Sequence, residues 1–428
     1  MMKTENEKNG AEEGSHGHSE APGKIEVRKI SYWQVAWGQF SKNKIALAGL
    51  WCVVLLLLIA IFCPLIASNV PYYVLSDQPI MVREGYRLPS FLFVRVLFDR
   101  NCYENAVDIF FNLIMVLFIP YVVIYLVVRK LRPSFGRFNV VAGIAVFHLL
   151  AFLVVSAFPY TLPQTDFKTL LGDLKKEGKH VQYLFPPVPY SYREIEKDKQ
   201  HPQAPSRTHM LGTDAEGRDV FTRMLYGTRI SMTIGVVAVS IYVTIGIILG
   251  SLAGYFGGRV DLAISRLIEV FICFPTFFLI LTLAAFIEKR TIFHVMLLIG
   301  LVSWTGVARL VRGEFLRLRE MDYVQAAIAM GISKARIIFS HILPNAMAPV
   351  LVSATFGVAA AILIESSLAF LGLGDPSAPS WGGILNVGRE QQKLWLIIYP
   401  GIAIFFVVSV FNLVGEALRD AMDPRLRQ

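Results

Sequence analysis

Apolar runs of roughly twenty residues recur along this chain and leave it few folds. A bilayer core has no water to satisfy an unpaired amide, so a run of this length buries its backbone as a helix. Ile45–Ala67, Val107–Val128, Phe138–Phe158, Ile230–Ala253, Ala263–Ile287, Ile292–Val311, Ala348–Phe370 and Leu394–Leu413 all reach the length a membrane span needs, about 20 residues. Only 17% of the chain is charged and 54% is hydrophobic, against about 25% charged in soluble domains. The expected fold class is an all-α polytopic membrane protein. In a chain this apolar, the net charge of +9 reads as basic loops and contact with anionic membrane lipid, not as nucleic-acid binding.

Charge placement orients the spans. Arg28, Lys29, Lys42 and Lys44 precede the first run, and RKLRPSFGR, with Arg129, Lys130, Arg132 and Arg137 and no acid, joins the second to the third. Both are expected on the inside. Eight spans then place both termini of this multi-pass chain in the cytoplasm. Residues 1–29 read as a disordered cytoplasmic tail in which His16 and His18 are solvated. Ile30–Lys44 suits an interfacial helix leading into the first span, so residues 30–68 form one unit. Val70–Glu104 is expected outside, although Arg83, Arg87, Arg95 and Arg100 argue mildly against it. Pro159–Thr228 carries FPPVPYSYREIEKDKQHPQAPS, a proline density that predicts extended or turn backbone. Pro275 is expected to kink its span, and Gly235, Gly246, Gly250 and Gly357 to allow close helix packing. The four cysteines show neither a disulfide framework nor metal-ligand spacing, and no cofactor site or catalytic residue is expected.

Gln325–Asn345, QAAIAMGISKARIIFSHILPN, stands apart as a polar-flanked, helix-prone stretch between two apolar runs. Glu320–Met330 predicts one helix and Ser333–Leu343 another, with Gly331 at the turn, Ser333 as cap and Leu343-Pro344 as a stop. Met321, Val324 and Ile328 share one helical face, and Ile338 and Ile342 share another. Such a face packs either on the protein's own bundle or on a soluble partner. Arg309, Arg312, Arg317, Arg319, Lys334 and Arg336 agree with a cytoplasmic position for the stretch.

The same stretch resembles the coupling motif of bacterial ABC-importer permeases: EAA, three residues, Gly, nine residues, I-x-L-P. Gln325, Ala326 and Ala327 fill the first places, and Gly331, Leu343 and Pro344 match in register. Gln325 replaces the acid, and His341 stands where isoleucine is usual. LGTDAEGRDVFTRMLYGTRIS, GYFGGRVD, ESSLAFLGLG, PSWGGIL and LRDAMDPRLR, in that order, are similar to the dipeptide/oligopeptide/nickel permeases of the DppC/OppC type. The resemblance covers about 208–427 and 31–67. It implies a type I, MetI-like transmembrane domain with an inserted extra pair of spans: a 208–428 core carrying the 320–345 hairpin, and a 69–207 insertion with two spans and external polar segments. It also implies a second permease subunit, two cytoplasmic ABC ATPases and an external solute-binding protein as partners. Tyr323, Val324, Gln325, Ala326, Ala327, Gly331, Ile338, Leu343 and Pro344 would then couple the ATPases to the bundle.

No G-x-x-x-x-G-K-[ST] loop occurs in the chain, so the energy source is expected on another polypeptide. Among ionisable residues in or near spans, Glu269, Arg309, Arg312, Glu416 and His148 read as structural pairs or interfacial residues. Glu365 is carried as a candidate for the translocation path. Asp214, Arg218 and Asp219 read as a turn network. A secondary transporter should show two related halves with broken helices, and a membrane anchor should carry a soluble domain. Neither is visible. Within the resemblance, nickel or another small solute in place of peptide stays open.

Overall fold

The computed structural model describes residues 32–76, 80–82, 86–87, 92–132, 136–163, 165–196 and 201–422. The expected tail 1–29, with His16 and His18, the 197–200 part of the proline-rich segment and the DPRLR end of the last motif lie outside them. In chain order the elements are α1 (Tyr32–Lys42), α2 (Lys44–Ile66), β1 (Tyr73–Ser76), β2 (Met81–Val82), β3 (Tyr86–Arg87), α3 (Leu92–Val96), α4 (Ala106–Leu131), α5 (Arg137–Ala157), α6 (Phe167–Lys176), β4 (Val181–Leu184), α7 (Val220–Phe256), α8 (Gly258–Ile272), α9 (Thr276–Ala285), α10 (Ile292–Val302), α11 (Trp304–Arg319), α12 (Asp322–Ala329), α13 (Lys334–Arg336), α14 (Leu343–Phe370), α15 (Trp381–Gln391) and α16 (Trp395–Met422). Among the described residues, seven helical stretches are long and apolar enough to cross a membrane, and α8 with α9 brings the number to eight if that bent pair is one span. The kink expected at Pro275 is a full break of 77°, with Pro275 at the N-cap of α9. Its missing N–H costs nothing there, because the first amides of a helix have no intrahelical partner.

Helix α7 organises the bundle. Its 37 residues make it about 55 Å long, more than the roughly 30 Å of hydrocarbon in a bilayer. Gly246, Gly250 and Gly254 recur at every fourth position, so they form one stripe, and α11 lies against it. A Cβ at Gly250 would sit 2.5 Å from the Ala308 carbonyl oxygen, and one at Gly254 would sit 2.5 Å from the Phe315 Cβ. Gly250→Leu is therefore expected to force the two helices apart at a cost of about 1–3 kcal/mol or more. Gly313→Leu, where a Cβ meets nothing within 4 Å, serves as the control. The monodisperse fraction after detergent extraction reads the difference.

The described residues within 67–105 and 158–219 form a lobe at one end of the bundle. Strand β1 pairs antiparallel with β4, Tyr73 opposite Leu184, and Ala67 bridges Val188. The side chains of Leu92, Leu97, Phe167 and Leu171 fill its interior. The proline-rich segment is extended or turn backbone over most of its length. Helix α6, the strand pair and the short β2–β3 ladder are structure that proline density alone does not reveal.

A guanidinium fastens the extra pair α4–α5 to the rest. Arg229 of α7 is fully buried. Its Nη1 donates to Asp108 Oδ1 at 3.0 Å, its Nη2 to Asn112 Oδ1 at 2.9 Å, and its Nε to the Ala60 carbonyl at 2.6 Å. Ala60 has that carbonyl free because Pro64, four residues on in α2, has no N–H to offer it. Tyr192 of the lobe donates to Asp108 Oδ2 at 2.8 Å, and Asn112 donates to the Leu97 carbonyl at 2.7 Å. Core, lobe, α2 and α4 thus meet at one satisfied charge.

Ala46 of α2 packs with Ala417 and Ala421 of α16, and Phe40 of α1 joins them. The described N- and C-terminal helices therefore lie together. They lie at the end of the bundle opposite the lobe, where α7 and α11 finish and α14 begins.

Candidate coupling site

The hairpin that follows α11 is built by backbone geometry before any side chain acts. Gly331 has φ of +73°, in the left-handed region that glycine adopts without strain. Its N–H donates to Ile328 O at 2.9 Å, and the Ile332 N–H donates to Ala327 O at 3.1 Å. These two bonds close α12 as a Schellman motif. The first arm is Asp322–Ala329, shorter than the expected Glu320–Met330, because Glu320 ends α11 and Met321 is extended.

The second arm differs more. Instead of a helix ending at Leu343-Pro344, α13 passes into a π-helical segment, Ile337–Ile342, and on into α14 without a stop. Pro344 lies in the first turn of α14, with the wider π turn before it. Asn345 donates through Nδ2 to His341 O at 2.8 Å and to the Tyr323 hydroxyl at 3.3 Å, linking the two arms. Ser333 holds the N-cap position of α13 but makes no capping bond through its side chain.

Burial divides the site residues into two sets. Val324, Ala327, Ile337, Ile338 and Ile342 are buried and join Val311, Phe315 and Leu318 in the main core. The expected face of Met321, Val324 and Ile328 does not form, since Met321 and Ile328 are 42% and 45% exposed. A helix this short buries only the stripe over α11, and Val324 with Ala327 at i and i+3 is that stripe. Tyr323, Gln325, Ala326, Gly331 and Pro344 are exposed, and Leu343 is half-buried. Met330, at 72%, and Phe339, at 67%, enlarge an outward apolar surface that the motif does not include.

Gln325 donates through Nε2 to the Arg319 carbonyl at 2.9 Å, at the C-terminal end of α11. A carboxylate has no proton to donate there and would face the negative end of the helix dipole. Gln325→Glu is expected to cost about 1 kcal/mol locally, read as faster amide hydrogen exchange across 322–329. Unchanged exchange would show that this bond does not hold α12. Arg319 itself donates to Tyr255 O at 3.1 Å, and Arg312 Nη2 to Asp261 Oδ2 at 2.8 Å. These two bonds tie α11, the helix that carries the hairpin, to α7 and α8.

The remaining ionisable residues have ordinary partners. Glu269 pairs with Arg266 at 2.6 Å on the surface, and His148 Nδ1 lies 3.0 Å from the Tyr121 hydroxyl. Arg309 and Glu416 are exposed. Asp214 accepts from Arg218 Nε at 2.7 Å, and Asp219 caps α7 through the Thr222 N–H, so the expected turn network is present. Glu365 is 2% exposed, and its Oε2 accepts from the Ser366 hydroxyl at 3.4 Å. A cavity of about 270 Å³ lies between α7, α10, α11 and α14, lined by Tyr242, Ser303, Gly357 and Ile364 but not by Glu365. Arg229 and Asp108 escaped the sequence reading because each falls at the margin of an apolar run, where charge is unremarkable.

A helical bundle with seven or eight candidate spans, carrying a hairpin with an outward apolar surface between α11 and α14, is the architecture of a multi-span membrane protein. Residues 246–428 match the family described as binding-protein-dependent transport system inner membrane component, and residues 31–85 match the N-terminal TM domain of oligopeptide transport permease C. The chain is 41% identical over 228 residues to the dipeptide transport system permease protein DppC of Alkalihalophilus pseudofirmus, covering 53% of this chain and 75% of that one. It is 35% identical over 296 residues to the oligopeptide transport system permease protein OppC of Haemophilus influenzae, covering 67% and 85%. The glutathione transport system permease protein GsiD of Pectobacterium atrosepticum is 38% identical over 58% of this chain and 82% of its own. The chain belongs to the dipeptide/oligopeptide ABC transporter permeases. The two family matches flank residues 86–245, which hold α4, α5 and most of the lobe.

Proposed function

We propose that this chain is one of two permease subunits of an ATP-driven importer of peptides in a bacterial inner membrane. The observation that carries the reading is the 320–345 hairpin: it is mounted rigidly on α7, α11 and α14 while turning Met321, Tyr323, Ile328, Met330 and Phe339 outward. Cytoplasmic ATPases supply the docking surface, and an external solute-binding protein delivers the peptide. Orientation follows from charge, since Arg129, Lys130, Arg132 and Arg137 lie at the hairpin end of α4 and α5 and basic loops stay inside. The lobe is then external. Closure of the ATPases moves the hairpin as one body, and the bundle changes access because α11 and α14 line the central cavity. ATP shifts that equilibrium only by its differential affinity for the two states.

The test is ATP-dependent uptake by proteoliposomes holding this chain with its co-purifying subunits, using a labelled tripeptide and nickel as alternative cargo. Peptide uptake that needs both ATP and the binding protein supports the proposal. Nickel uptake without peptide uptake would move the substrate class, and uptake driven by a proton gradient alone would overturn the ATP-driven reading.

A further inference from the structure

At the lobe end, three arginines from different parts of the chain converge on a pocket of about 190 Å³. Arg193 comes from the inserted lobe, Arg218 from the turn before α7, and Arg223 from the first turn of α7. Tyr192 and Ser377 also line it, and among the described residues no acidic one does. Two of the three guanidinium groups already have acids of their own. Glu104 pairs with Arg193 at 2.9 Å, and Glu216 pairs with Arg218 at 2.7 Å.

Arg223 is the informative member. It is 6% exposed, and its Nη1 reaches only Asp214, at 3.4 Å. Asp214 is already committed, accepting from Arg218 Nε at 2.7 Å and from two backbone amides, at Glu216 and Arg218. Two guanidinium groups share one carboxylate, and the Arg223 Nε is enclosed with no hydrogen-bond partner among the described residues. Burying a cation with donors unused is costly unless an anion meets it. Guanidinium forks match the two oxygens of a carboxylate better than they match a spherical ion.

We propose that this pocket binds a carboxylate group. The proposal takes from the importer reading only the two sources of that group: the C-terminal carboxylate of a transported peptide, or an acidic side chain of the solute-binding protein.

Isothermal titration of the full-length chain in nanodiscs, with trialanine, trialanine amide and Ala-Glu-Ala amide as probes, tests it. Binding of trialanine or Ala-Glu-Ala amide is expected, with trialanine amide weaker by on the order of tenfold or more. Binding of trialanine alone assigns the peptide terminus, and binding of Ala-Glu-Ala amide alone assigns a partner's side chain. Arg223→Gln and Arg193→Gln should each weaken the bound probe by a similar factor. Arg193 is partly exposed, so its variant decides the matter if Arg223→Gln does not fold. Equal binding of trialanine and its amide, no binding of either carboxylate probe, or binding untouched by the Arg193 variant would overturn the pocket. A complex that fails these tests and still imports peptide would leave the transport reading intact.

Discussion

Replacing Gly331 by proline is expected to abolish peptide-stimulated ATP hydrolysis in the reconstituted complex while the permease still reaches the membrane. Proline holds φ near −65°, whereas this position requires +73°. It also removes the N–H that donates to Ile328 O. The Schellman closure then fails and the two arms lose their fixed angle, although Val324 and Ala327 can still rest on α11. Gly331→Ala separates the causes. A Cβ at this position meets nothing within 4 Å, so its cost is the left-handed backbone alone, about 1–2 kcal/mol. It should lower coupling without removing it. Unimpaired stimulation in the proline variant would show that the hairpin angle does not transmit the movement.

The second large effect concerns folding. Arg229→Met should destabilise the permease by about 3–5 kcal/mol, because Asp108 would remain buried with no cation. Asp108→Asn should cost less, since an amide can still accept from Arg229 and contact Tyr192. Arg229→Met combined with Asp108→Leu should recover part of the loss, as the two residues act as one unit. Thermal aggregation followed by size-exclusion chromatography in detergent would rank the three. If Arg229→Met alone matched the parent chain, the buried pair would not be what fixes α4 and the lobe to α7.

Hydrophobic run length made most of this fold readable. Seven of the expected spans correspond to apolar helical stretches and the eighth, Ala263–Ile287, to the bent pair α8–α9, because an apolar run of that length satisfies its backbone in a bilayer as a helix. Pro275 announced its break for the same reason. What stayed hidden was structure set by contacts distant in sequence. Nothing near Tyr73 or Val181 shows that they share a ladder, and nothing near Arg229 points to Asp108. At the hairpin, Gly331 signalled its turn through its unique backbone freedom. The division between Val324 and Ala327 facing inward and Met321 and Ile328 facing outward was not readable, because over eight residues several apolar stripes fit the helical period equally well. Leu343-Pro344 misled as a stop, since a helix that enters proline through a π turn continues.

The coupling role of the hairpin is tested most directly by site-specific photocrosslinking in the assembled transporter, with the probe placed at exposed Met330 or at buried Val324. A Met330 probe that joins this chain to an ATPase subunit, more strongly when ATP is bound, with a Val324 probe that joins it to none, is the predicted result. A Met330 probe that captures only the solute-binding protein, or no subunit at all, would contradict it.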